Sequence, residues 1–232
     1  MKNKKKILII LVAVLLIGAA SIVYYYWYEN SHYVSTEDAR IAADIVTVTP
    51  QIPGRITEWN VSEGDNVKAG ANLGWQDTNA VATSSGVNAA ALNAVGSLMV
   101  SKAEITAPIS GKVLKSSVVP GQMVSPGQAL ALIADTGDLY VTANIEETKI
   151  KEVKKGQNVE VTIDALGGQK VMGKVEEIGQ ATLSTFSVLP TQSSNGTFTK
   201  VTQLIPVRIR FPHASEMGLA PGMSVEVKID IR

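Results

Sequence analysis

The fold is decided by TPQIPGRITEWNVSEGDNVKAGANL (Thr49 to Leu73), which is echoed without a gap 57 residues later by TAPISGKVLKSSVVPGQMVSPGQAL (Thr106 to Leu130). The glycines coincide in three pairs: Gly54 with Gly111, Gly64 with Gly121, and Gly70 with Gly127. Glycine at a positive φ is hard to replace, so these positions keep a repeat aligned while other side chains drift. Because each copy alternates apolar residues between glycine turns, the pattern predicts two interlocking halves of one small β domain.

Each copy contains the half-motif V-x-x-G-x-x-V-x-x-G, once from Val61 to Gly70 and once from Val118 to Gly127. This half-motif resembles the biotinyl/lipoyl half-domain, two of which form a flattened barrel-sandwich hybrid. The resemblance implies either a swinging carrier domain or an adaptor of an efflux pump. We expect this lipoyl-like domain to span residues 44–137, and the six glycines to be structural turn residues. Trp59 and Trp75 are expected to pack against the cores of the half-motifs.

The N-terminus favours a membrane-bound adaptor. Four lysines lie in residues 1–6, and residues 7–28 form an uncharged apolar stretch that ends in the aromatic block Tyr24, Tyr25, Tyr26, Trp27 and Tyr28. As a helix this stretch would be about 33 Å long, enough for a hydrocarbon core of roughly 30 Å. The aromatic block is typical of an interfacial belt, and the lysines predict a cytoplasmic N-terminus with the bulk of the chain outside. Cleavage of a signal peptide after the small residues 18–20 is the alternative, although the mature chain would then begin with SIVYYYWY.

Composition excludes several classes of function. No acidic residue precedes Glu29, so the external part carries 17 basic against 21 acidic residues, which argues against a nucleic-acid partner. The chain has no cysteine and only two histidines, so it offers almost no ligands for a transition metal. The adjacent acidic pairs, such as Glu176-Glu177, are interpreted as solvated surface charge. We therefore expect no cofactor, no metal and no enzymatic activity.

A second β domain is predicted over residues 138–232, after a polar connector at 29–43. Five alternating strands are marked by apolar residues on one face: Leu139, Val141, Ala143 and Ile145; Val159, Val161 and Ile163; Val171 and Val175; Ile205, Val207, Ile209 and Phe211; and Val225, Val227, Ile229 and Ile231. Such a set suggests a small β-barrel. The Pro-, Ser- and Gly-containing stretch 182–203 interrupts it as a long loop.

The second domain narrows the resemblance. Its segment from Val141 to Gly168, followed by G-x-V-x-x-I, is similar to the β-barrel of HlyD-type membrane fusion proteins, and LAPGMSVEVKI is similar to their closing strand. FSVLPTQSSNGTFTKVTQLIPVRI, from Phe186 to Ile209, resembles the EmrA branch. The resemblance implies a mainly β, single-pass membrane protein of the cell membrane that forms a homo-oligomer. Its implied partner is a drug exporter of the major facilitator type, with an ATP-driven (ABC) exporter as the alternative.

One departure from the family concerns the segment between the two halves. HlyD and EmrA relatives insert a long α-helical hairpin there, whereas residues 77–104 supply only 28 residues. A helix from Val87 to Val100 would span about 21 Å, so no outer-membrane channel is expected as a partner. A carrier domain would present its modified lysine at a tight turn in this place. Lys102 instead lies at the end of the segment, which makes a membrane-tethered biotinyl/lipoyl carrier the lesser alternative.

Overall fold

The computed structural model describes residues 15–21, 23–24, 31–77, 102–186, 202–212 and 214–232. The strands are β1 Tyr33–Ala42, β2 Ile45–Val48, β3 Gly54–Trp59, β4 Asn66–Val67, β5 Asn72–Asp77, β6 Glu104–Thr106, β7 Gly111–Ser116, β8 Met123–Val124, β9 Ala131–Ala134, β10 Tyr140–Glu146, β11 Asn158–Ile163, β12 Gln169–Ile178, β13 Leu204–Arg210 and β14 Ser224–Asp230. Short 3₁₀ turns cover Ile150–Glu152, Asp164–Leu166, Leu183–Phe186 and Ala214–Met217. The predicted mainly β fold is confirmed, and it forms two compact units.

The first unit is a sandwich of two four-stranded sheets, in the orders β2-β9-β7-β4 and β6-β5-β3-β8. The 57-residue echo holds at the level of register: Gly54 pairs with Val124 just as Gly111 pairs with Val67. A bulge between Ile56 and Glu58 in one sheet is repeated between Val113 and Lys115 in the other. Each strand of the first half therefore has a structural equivalent in the second half.

The two halves are interlocked through their glycine turns. The Gly64 N–H donates to the Val113 carbonyl at 2.8 Å, and the Gly121 N–H donates to the Ile56 carbonyl at 2.7 Å. Gly64 and Gly121 have φ values of +93° and +92°, in a region that side chains avoid. Each half thus completes the sheet of the other, and neither half can close alone.

The sandwich core is drawn from equivalent positions of both halves. It comprises Val48, Ile56, Leu73, Ile105, Ala107, Val113, Val118, Val124, Leu130, Ala131 and Ile133. Each fully buried Leu, Ile or Val contributes about 1.5–3 kcal/mol relative to an exposed one. As predicted, Trp59 packs against this core, and its indole N–H donates to the Ser116 hydroxyl at 2.8 Å.

The matching prediction for Trp75 is wrong, because Trp75 lies on the outside of the sheet and is 37% exposed. The pairing of β5 with β6 shifts register between Asn72 and Gly74. This bulge reverses the alternation of the strand, so that Gln76 faces the interior in place of Trp75.

The second unit is a closed barrel in the order β1-β10-β13-β12-β11-β14. The apolar faces predicted for its last five strands point inward, with Val141, Val159, Val207 and Val227 fully buried. The barrel also contains a sixth strand that the sequence interpretation missed, since β1 falls within the segment predicted as a polar connector, 29–43. A register shift between Thr36 and Ala39 switches the buried positions of β1 from even to odd residue numbers, which hides its alternation.

The N-terminal prediction falls largely outside the described residues. Residues 15–21 and 23–24 are helical, and Leu15, Ile17, Val23 and Tyr24 are each exposed over more than 60% of their surface. No helix within the described residues is long and apolar enough to cross a membrane. Tyr25, Tyr26, Trp27 and Tyr28 of the predicted belt lie outside the described part of the chain, as do residues 78–101 and 187–201.

Candidate docking surfaces

The outer wall of the barrel carries an open cleft of about 500 Å³. It is lined by charged side chains from neighbouring strands and from the turn before β11, together with one apolar residue: Lys155, Glu176, Glu177, Ile178, Arg208 and Arg210. A cleft with this lining offers both guanidinium donors and carboxylate acceptors to a partner, and little apolar surface.

Glu176 is the centre of this charge cluster. Its two carboxylate oxygens lie 3.2 Å from Arg208 Nε and 3.1 Å from Arg210 Nη2. The contact to Arg208 is a charge contact only, because Arg208 Nε and Glu176 Oε2 are buried but not aligned for a hydrogen bond. The pairing of β12 with β13 shifts register between Val175 and Glu177, and this bulge brings Glu176 beside the arginines.

Tyr140 supports the cluster from the next strand. The Arg208 guanidinium carbon lies 3.6 Å from the centre of the Tyr140 ring, a cation–π contact that holds the guanidinium flat against the barrel. The ion pairs and this stack connect β10, β13 and β12 on their outer face. Sequence reasoning placed Glu176 among solvated charges; residues 140, 176 and 208 are too far apart in the chain for any local pattern to bring them together.

Removing the charge of Glu176 should destabilise the barrel by about 1 kcal/mol. The half-buried guanidinium groups of Arg208 and Arg210 would then lose the carboxylate that both of them contact. We expect Glu176→Gln to lower the thermal midpoint of the full-length protein, and the difference to shrink in high salt. Glu177→Gln is the matched control, since Glu177 is exposed on the same strand. Equal midpoints for the two variants would show that the cluster does not support the barrel.

A second polar cluster ties the last strand to the start of β1. Lys228 Nζ lies 4.4 Å from the centre of the Tyr33 ring, and Arg232 donates to the Tyr33 hydroxyl at 3.3 Å. Hydrogen bonds from the Arg232 side chain and backbone hold the pKa of Asp230 below its usual range. The Ile231 N–H also donates to the His32 carbonyl at 3.0 Å. The chain that precedes β1 therefore enters the barrel through an ordered junction.

The remaining predicted site residues lie in the sandwich. Gly54 and Gly111 sit where strands approach closely: a Cβ on Gly54 would lie 2.7 Å from the Asp77 carbonyl oxygen, and one on Gly111 would collide with that of Ala134. Gly70 and Gly127 are turn residues with φ values of +78° and +90°. Lys102 is exposed just before β6, at the base of the insertion. No group of three metal-ligating side chains is present within the part of the chain that the structure describes.

Comparison with known proteins follows the two units. A family model for the barrel-sandwich hybrid domain of RND-type membrane fusion proteins matches residues 44–136, and one for the AAEA-like β-barrel domain matches residues 138–230. YhbJ of Bacillus subtilis, named as an efflux system component, is 36% identical over 201 residues, which cover 87% of this chain and 81% of YhbJ. This chain belongs to the membrane fusion protein family of efflux adaptors. Proteins of this family are adaptors and not enzymes.

Relatives within the family are of the EmrA type. The colistin resistance protein EmrA of Acinetobacter baumannii is 38% identical over 130 residues, which cover 56% of this chain and 37% of that protein. The chain spans only 34–38% of the length of the EmrA, EmrK and FarA relatives. Among solved structures, a MacA–MexA chimera with the Pseudomonas aeruginosa MexA α-hairpin domain matches with a TM-score of 0.65 at 22% identity, covering 87% of this chain and 82% of the chimera. This last match shows the shared fold.

Proposed function

We propose that this membrane fusion protein is a single-pass adaptor of the cell membrane that docks as a homo-oligomer on an exporter of the major facilitator type. The observation that carries the proposal is the pairing of a lipoyl-like sandwich with a six-stranded barrel in one chain that is 36% identical to an efflux system component over 81% of its length. The EmrA-type relatives favour the major facilitator class of exporter over the ATP-driven class.

The proposed mechanism is mechanical and steric. Two β units with buried apolar cores are stiff spacers, because close-packed interiors resist deformation. The barrel exposes the Glu176 cluster as a charged contact surface. The chain that precedes β1 joins the barrel where Tyr33 contacts Lys228 and Arg232. In this function the external units cap or line the exit of the exporter and guide substrate away from the bilayer.

The proposed organisation follows the sequence with one change. Residues 1–6 form a cytoplasmic stub, residues 7–28 a transmembrane helix with its aromatic belt, residues 44–137 the sandwich with its insertion at 77–104, and residues 138–232 most of the barrel. The connector 29–43 contributes β1 to the barrel. We propose no contact with an outer-membrane channel, since the insertion has only 28 residues.

Protease accessibility on intact cells tests whether residues 7–28 anchor the protein in the membrane. Protease added to intact cells that lack a wall should digest the units beyond Glu29 and leave the lysine-rich N-terminus protected, because the positive residues are retained inside. A tag at the N-terminus and a second tag at the C-terminus report on the two sides. Protection of the C-terminal tag, or release of the protein by a salt wash, would contradict the single-pass arrangement.

The intact mass of the purified protein distinguishes a biotinyl/lipoyl carrier from an adaptor. A biotinyl or lipoyl carrier would carry a covalent modification on a lysine, and Lys102 is the candidate between the two half-motifs. The intact mass of protein purified from its own cells should equal the mass of the unmodified chain. A mass increase that is abolished by Lys102→Arg would favour the carrier.

A further inference from the structure

Two amide side chains on β5 have no counterpart in the second half of the sandwich. The 57-residue echo places Ala129 at the position of Asn72, and the strand pairings place Ile133 at the position of Gln76. Gln76, 4% exposed, is the only buried polar or charged residue in the part of the chain that the structure describes. Since the second half closes with Ala129 and Ile133 in the same register, the sandwich does not need these amides in order to fold.

Both amides reach across to the chain that returns from the insertion. Gln76 Nε2 donates to the Ile52 carbonyl at 3.1 Å and to the Lys102 carbonyl at 3.4 Å. Asn72 Nδ2 donates to Glu104 Oε1 at 2.7 Å. All three partners are acceptors, so the NH₂ groups must face them and the orientation of both amides is determined.

These contacts leave the other end of each amide unsatisfied. Asn72 Oδ1 and Gln76 Oε1 are buried and have no hydrogen-bond partner among the described residues. A buried carbonyl oxygen without a partner destabilises a fold, whereas the alanine and isoleucine of the second half carry no such group. The amides therefore serve something other than the stability of the sandwich.

The position of the two amides in the sandwich indicates their role. Gln76 stands one residue before Asp77, the last residue of β5, and Lys102 is the first described residue on the return to β6. At the equivalent place in the second half the chain carries no insertion and continues directly, with the Asp135 N–H donating to the Asp44 carbonyl at 2.9 Å. Both amides thus occur in the half that carries the insertion, and Gln76 lies where the insertion begins and ends.

We propose that Asn72 and Gln76 are positioning residues for the insertion. By holding the end of β5 against Ile52 and against the Lys102 carbonyl, Gln76 fixes the two described ends of the insertion, Asp77 and Lys102. Asn72 holds the Glu104 side chain, two residues further along the returning chain. The inference goes beyond the adaptor function and does not depend on it, because the clamp is defined within the sandwich and requires no exporter.

The test is hydrogen exchange on the full-length protein in mild detergent, followed by mass spectrometry. Gln76→Ile installs the residue of the equivalent position, and Asn72→Ala does the same for Ala129. We expect exchange of peptides covering Lys102 to Thr106 to rise about tenfold in Gln76→Ile, the factor that corresponds to the loss of about one hydrogen bond. The thermal midpoint should be unchanged or higher. Strand β2, the equivalent of β6, is the control within the same molecule and should exchange at its original rate.

Two results would overturn the proposal. Unchanged exchange at Lys102 to Thr106 would show that Gln76 only fills space, and an equal rise in β2 and β6 would show general destabilisation of the sandwich. Should Gln76→Ile not fold, Gln76→Met gives the same test, because methionine matches glutamine in length and flexibility but has no amide donor. Failure of the adaptor function would be seen separately, since neither readout involves transport.

Discussion

Valine in place of Gly111 is expected to destabilise the sandwich by about 3 kcal/mol or more, because the new Cβ would collide with the backbone carbonyl of Ala134, which cannot rotate away. Gly54→Val is expected to act in the same way against the Asp77 carbonyl, 2.7 Å from the position of its Cβ. At about 4–8 °C per kcal/mol for a domain of this size, each thermal midpoint should fall by more than about 10 °C. Calorimetry of the full-length protein in mild detergent measures the effect.

The turn glycines provide a graded comparison for this prediction. Gly64→Val and Gly121→Val should each cost about 1–2 kcal/mol, because the strain comes from φ values near +90° while no atom lies within 4 Å of the new Cβ. Ser62→Val is the matched control, since the equivalent position in the other half is Val119. Parent-like melting of Gly111→Val would refute the close-approach argument, and unequal losses at Gly64 and Gly121 would refute the equivalence of the two turns.

Removing the insertion is expected to separate folding from function. Replacement of Thr78–Ser101 by a short Gly/Ser turn should leave a cooperatively melting protein, because β5 and β6 are paired neighbours and the closure entropy of a loop varies slowly with its length. If Asn72 and Gln76 hold the insertion in place for contact with a partner, export by cells carrying the deletion should be lost. The measurement combines calorimetry with a resistance assay in cells that lack the chromosomal copy of the gene.

A Gly/Ser segment of the original length is the control for the deletion, because it restores the distance between β5 and β6 but not the side chains. Export that survives the deletion would mean that the insertion makes no necessary contact. Insoluble or molten protein would place Val95, Leu98 and Met99 in the core, contrary to the prediction that the insertion is not needed for folding.

Much of the sandwich could be predicted from the repeat, because equivalent positions of the two copies occupy equivalent strands. The matching apolar residues of both copies form one core. Where prediction failed, β-bulges were the cause. A bulge in β1 hid a strand of the barrel, and a bulge in β5 exchanged Trp75 for Gln76 in the interior. Strand prediction assumes that every second side chain faces the interior. One extra residue in a bulge shifts the buried positions by one, and the amino-acid composition of the strand does not show this shift.

The Glu176 cluster could not be predicted from the sequence for a different reason. Tyr140, Glu176 and Arg208 come from three strands that only barrel closure brings together, and each alone is an ordinary surface residue. The clamp at Gln76 was accessible in principle, because alignment of the two halves sets a polar residue against Ile133. That contrast becomes informative only once the structure shows that both positions are interior.

The most direct test of the adaptor account is purification of the tagged full-length protein from its native membrane in mild detergent, with identification of the membrane proteins that accompany it. The account predicts that a stoichiometric exporter of the major facilitator type is among them. Co-purification of an ATP-driven exporter would correct the class of partner. Recovery of the protein with a biotin- or lipoate-dependent enzyme, and with no transporter, would contradict the account.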